Sequence, residues 1–197
     1  MAELLNKLRC AVRPPSKITS DPPEAPEGIE AIASAPVPVD GTVHWQLPPS
    51  YLSFLSEAGR FSLSWFSPSL DRNRSIVLFD AEGIAEASEI VYVPSDVDLG
   101  NGAITTNHLV PFAGEPGGEW AFCFDASASG AEYPVYYHHQ DQPRATLVAG
   151  GWDSSSDSAP EWESFGAWVE WLVRALAAGA DPVVIGQPYP EPVLRLG

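Results

Sequence analysis

A chain of 197 residues, 45% of them apolar, is long enough to bury a sizeable core within one domain. Its seven Trp, eight Phe and six Tyr argue against overall disorder. Its 26 acids against 10 bases, a net charge of -16, exclude a surface suited to nucleic acid or anionic membranes.

The charge is unevenly spread. Both lysines, Lys7 and Lys17, lie at the start, and from Gly41 onward twenty acids face six Arg, a balance of −14. Such a surface keeps a protein soluble, attracts basic partners and speeds their encounter. No run of about 18 apolar residues is present, so no membrane span is expected. Met1–Cys10 is broken by Asn6, Lys7 and Arg9 and does not read as a signal peptide. Cys10 and Cys123 are far apart, with nothing to indicate a disulfide, and a reducing, cytoplasmic setting is the simplest expectation.

In chain order, Leu4, Leu5, Leu8 and Val12 recur at helical spacing and predict a short helix over residues 1–12, stopped by Pro14 and Pro15. The Pro-, Ala- and Glu-rich stretch that follows, to about Val39, reads mainly as an extended linker, with a helical turn around Gly28–Ala33. Tyr51, Phe54, Leu55 and Ala58 then mark an amphipathic helix, with Pro49 in its first turn and Gly59 at C′. Phe61, Leu63 and Trp65 alternate with serines, the period of a half-buried strand. "DRNR" reads as a turn and "SIVLF" as the returning strand. Asp80 caps a helix over Ala81–Ala87.

"PSDVDLGNG" reads as loop. Strands follow at "HLVPFA", "EWAFCFD", "YPVYYHH" and "RATLVAG". Short connections between successive strands favour antiparallel pairing. Ser158 and Glu161 form a capping box for a C-terminal helix whose stripe is Phe165, Trp168, Val169, Leu172 and Leu176, with Trp171 off the stripe. A Pro-rich tail follows Gly179. The expected organisation is an N-terminal helix and linker over residues 1–40, a core domain over 41–178 and a tail over 179–197.

Motifs for catalysis are missing. There is no phosphate-binding glycine loop and no G-x-S-x-G elbow. "DASASG" and "DSSSDS" read as turns. His138 and His139 are adjacent in a strand and point to opposite faces, and no spacing ties them to His44 or His108 as a metal site. Glu115, Glu119, Asp125 and Asp141 lie around neighbouring strands and could pair for acid–base work, but a solvated acidic face is the better reading among so many acids. Cys123 alternates with aromatics and reads as a buried, inert thiol.

Four segments in order resemble one known family. "LPPSYLSFLSEAGRF" is similar to the L-P-x-x-Y-x-x-F-L-x-x-x-G opening of the SUKH superfamily, which includes fungal cell-wall-assembly regulators and many bacterial immunity proteins. "LVPFAGEPGGEWAFCFDAS" resembles its second hallmark, an apolar strand ending in Pro-Phe, a G-G-[DE] turn and an aromatic strand ending in Asp. "YPVYYHHQD" resembles the following strand and "SFGAWVEWLV" the closing helix. The sequence departs where that superfamily often has G-G after the first helix, since Gly59 is followed here by Arg60. It departs again where a helix with an acidic residue often precedes L-P, since this chain has "ASAPVPVDGTVHW".

The expected fold is therefore α+β, SUKH-like: a mainly antiparallel sheet of about five or six strands flanked by helices. The resemblance implies a non-catalytic protein-binding domain with no cofactor. In bacteria it implies an immunity protein that binds and neutralises a toxin, often a nuclease. A nuclease presents a basic surface to its substrate, which an acidic domain can occupy. The alternative is a regulatory or scaffolding module unrelated to toxins, and the remotest is a small hydrolase with acidic residues. The expected partner-binding residues are the loop acids Glu115, Glu119, Glu132, Asp141, Asp153 and Asp157. Trp152 is either an aromatic anchor among them or packed under the C-terminal helix.

Overall fold

The computed structural model describes residues 2–37, 39, 43–67, 71–91, 108–139 and 159–179. Among these residues eleven elements follow one another: α1 (Ala2–Ala11), β1 (Lys17–Ser20), α2 (Pro26–Ala33), α3 (Pro49–Ala58), β2 (Phe61–Ser67), β3 (Arg72–Leu78), α4 (Ala81–Val91), β4 (Leu109–Gly114), β5 (Trp120–Asp125), β6 (Val135–His139) and α5 (Phe165–Ala177). The six strands form one sheet in chain order, each antiparallel to the next. This is the α+β architecture expected from the sequence.

Strand alternation assigns the two faces. Register places Leu63 opposite Ile76, and Phe122 opposite Tyr137, on one face. Helices α3 and α5 cover that face with an aromatic cluster. Tyr51 lies 4.9 Å from Phe165, Phe122 lies 5.2 Å from Trp168, and Phe112 stacks on Phe124 at 4.1 Å. Each such ring pair adds about 0.5–1.5 kcal/mol beyond area burial. The other face carries α4, where the ring Nε2 of His138 sits 3.3 Å from the Ile90 carbonyl oxygen. With helices on both sides, β4 and β5 are buried at every residue. Strand β2 instead alternates buried with partly exposed residues, so α4 leaves its second face open.

The helix ends follow local chemistry. Gly59 closes α3 with φ 74°, and its N–H donates to the Leu55 carbonyl at 3.1 Å. Asp80 Oδ1 accepts the Gly83 N–H at 2.9 Å and starts α4 as expected. Helix α5 starts differently from the sequence reading. Its cap is Ser164, whose hydroxyl accepts the Ala167 N–H at 3.2 Å, and Ser158 lies outside the described residues. Glu161 of the proposed capping box accepts the Tyr137 N–H at 3.0 Å and so supports β6 instead. Trp171, off the expected stripe, is nevertheless buried, 4.8 Å from Trp162.

Two stretches hold more structure than expected. "DRNR" is mostly strand, since β3 already begins at Arg72. Within the stretch read as linker, Lys17–Ser20 pairs with Phe61–Ser64 as the outer strand, and α2 packs on α3 and α4. The "RATLVAG" strand and the "PSDVDLGNG" loop lie outside the described residues.

Candidate functional site

The open second face of β2 and β3 forms the floor of a cleft of about 500 Å³. Thr19, Ser62 and Val77 line it from the sheet, and Gly83, Ala87 and Ile90 from α4. Its rim is acidic: Asp21 precedes α2, Asp80 caps α4, Glu82 and Glu86 lie on α4, and Glu115 stands in the β4–β5 turn. Among the described residues that line it, Arg60 is the one with a cationic side chain, so five carboxylates face one guanidinium, a formal balance of −4.

Arg60 is already engaged. It reaches Asp21 at 3.2 Å, Asp80 at 3.2 Å, and Glu24 through Nε. Burial alone would lower its basicity, but the Glu24 hydrogen bond and the three carboxylate charges outweigh it and hold the guanidinium above its ordinary pKa. Around it the N-terminal segment is stitched to the α3–β2 turn. The Asp21 N–H donates to the Arg60 carbonyl and the Glu24 N–H to the Leu55 carbonyl, both at 2.9 Å. Backbone approach is so close that a Cβ on Gly59 would sit 2.3 Å from the Pro22 carbonyl oxygen. The Gly-Arg departure noted in the sequence thus marks the point where the N-terminal segment is fastened. By contrast Glu82 and Glu86, one turn apart on α4, are exposed and make no ion pair among the described residues.

The residues singled out from the sequence fall in four places. Glu115 lines the cleft, but its Oε2 also lies 3.0 Å from Nη2 of Arg74. The Arg74 side chain is fully buried, with Cζ 5.6 Å from the Trp120 ring centroid and Nε and Nη1 without a hydrogen-bond partner among the described residues. Glu119 is exposed, with His139 Nε2 at 4.0 Å. Glu132 is half-buried and accepts the Ser50 N–H at 2.8 Å, so its carboxylate serves the N-terminus of α3. Asp141, Trp152, Asp153 and Asp157 lie outside the described residues. As site residues, Asp21, Glu82 and Glu86 go unremarked in the sequence and Asp80 reads only as a helix cap; Asp21 meets the other three only when β1 joins the sheet.

Residues of the second hallmark segment have structural roles. Asp125 is buried, and its Oδ1 accepts the Ser127 N–H at 2.9 Å. Gly117 turns the β4–β5 connection with φ 63°. Cys123 is buried among the aromatics, which pushes its thiol pKa up. Among the described residues no group of three or more His, Cys, Asp or Glu is arranged to hold a metal ion, and no helix is long and apolar enough to cross a membrane.

No curated protein matches the chain significantly. The profile of the SMI1 / KNR4 family (SUKH-1) matches residues 41–171, more than half of the chain, from just before α3 to the middle of α5. On that match, and with the six-stranded α+β fold beneath it, the chain belongs to the SMI1 / KNR4 family (SUKH-1).

Proposed function

We propose that the protein is a non-catalytic binding domain of the immunity type, which neutralises a basic toxin domain by occupying its surface. Family membership supports a protein partner, since immunity proteins are common in this family. The observation that carries the reading is the acid excess: twenty acids against six Arg from Gly41 onward, with five carboxylates gathered around one cleft. A nuclease toxin must present cations to phosphate, and an acidic surface competes for those cations with steered association. Glu119 and the loop acids Asp141, Asp153 and Asp157, with Trp152, belong to the same proposed contact surface. The cytoplasm is its proposed working compartment, and no cofactor is required.

The test is growth. A large polymorphic toxin is expected beside the gene, and its C-terminal domain expressed alone should arrest growth. Co-expression of this chain should restore growth, and the two purified proteins should elute as one complex. Arrest that persists despite soluble expression of the chain would overturn the immunity reading.

A further inference from the structure

We propose that the cleft between α4 and the β1–β3 half of the sheet receives an arginine side chain of the partner, and that the N-terminal extension helps to build it. This rests on the protein-binding reading above and names where and by what chemistry the partner is held. Three observations converge. First, the cleft is a concavity of about 500 Å³ whose lining includes Val77 and Ile90, a surface suited to the methylene stem of a long cation. Second, its rim already holds a guanidinium: Arg60 lies among Asp21, Glu24 and Asp80. Planar guanidinium with carboxylates is a strong, geometrically specific pairing. Third, Glu82 and Glu86 on the same rim make no ion pair among the described residues and present two exposed carboxylates one helical turn apart. A second guanidinium above Arg60 would meet those two and offset part of the remaining charge. Thr19 and Asp21 precede the region matched by the family profile, so this shape belongs to the present chain and not to the matched core alone.

The probe is an acetylated, amidated hexapeptide carrying two arginines among leucine and glycine, compared with the same peptide carrying citrulline. Citrulline keeps the shape and removes the charge. Titration of the full chain at low salt, followed by amide shifts, should place the largest changes at Ser62, Val77, Gly83 and Glu86. The paired change Glu82→Gln with Glu86→Gln should weaken binding roughly tenfold. Glu163→Gln with Glu170→Gln, which removes the same charge at exposed positions around α5 on the opposite sheet face, should change it less than about twofold. Equal losses in the two variants would show only the field of net charge and would overturn the proposal. Equal binding of the citrulline peptide, shifts centred elsewhere, or no binding up to about millimolar concentrations would also overturn it. Failure here leaves growth rescue by the chain intact, whereas failed rescue with intact peptide binding overturns the immunity reading and leaves the cleft.

Discussion

Arg60 is the position where one substitution should report most about this molecule. Arg60→Met keeps the aliphatic stem and removes the charge. Two of its partners, Asp21 and Asp80, have side chains 57% and 55% exposed, and pairs of that kind contribute about 0.2–1 kcal/mol each. The third, Glu24, is only 16% exposed and hydrogen-bonded to Nε, where a charge-assisted bond contributes about 1.5–3 kcal/mol. The expected loss is about 3 kcal/mol, equivalent to a Tm drop of about 6–12 °C for a domain of this size. Arg60→Lys should fall between, because an ammonium cannot span three carboxylates in a plane. The loss should be local first. Hydrogen exchange at the Asp21 and Glu24 amides should accelerate before that of the β4 and β5 amides. The sign with pH also follows. A cation whose pKa is raised by folding contributes stability below its unfolded value and loses it only on passing the higher folded one. The clamp should therefore hold unchanged between about pH 6 and 9. Stability within about 0.5 kcal/mol of wild type, with unchanged exchange at those two amides, would refute the clamp.

Other consequences are equally open to measurement. Glu115→Gln leaves the buried Arg74 guanidinium without its carboxylate and should cost about 2–4 kcal/mol by denaturant unfolding; in a cycle with Arg74→Met, strict additivity would show that the pair is uncoupled. Gly59→Ala should destabilise by more than about 3 kcal/mol, because positive φ is joined to a clash with the Pro22 carbonyl. Gly117→Ala, with φ 63° but open space around it, should cost about 1 kcal/mol, and equal losses would contradict the close approach. A thiol reagent at neutral pH should label the exposed Cys10 within minutes and leave Cys123 unlabelled until the protein unfolds. Early labelling of Cys123 would contradict its burial.

The elements that announce themselves in the sequence are those whose periodicity spans enough residues to be seen. Tyr51 to Ala58 and Phe165 to Leu176 each repeat a stripe over at least two turns, and Trp120, Phe122 and Phe124 alternate. Strand β1 was illegible for the opposite reason. Four residues between Pro15 and Pro22 carry one alternating apolar side chain, Ile18, and their strand state comes from pairing with the edge of β2. Ser158 and Glu161 show how a short motif can match by composition, because Glu161 is committed to a Tyr137 amide and the cap is supplied three residues later. The cleft shared the fate of β1. Asp21 is some forty residues from Arg60 in the chain, and the two meet only through the outer strand pair. What the sequence did show was the acid excess itself and an unusual arginine after Gly59. The first motivates the proposed basic partner, and the second marks where the N-terminal segment is attached.

The most direct test of the proposed immunity role is the association rate of the protein with the basic toxin domain it is proposed to bind, at rising ionic strength. A steered encounter predicts that the on-rate falls by about tenfold or more between about 20 and 300 mM salt while the off-rate changes little. It also predicts that Glu82→Gln with Glu86→Gln slows association and speeds release. An on-rate indifferent to salt, with the cleft variant binding as wild type does, would contradict an acidic domain that captures a basic protein.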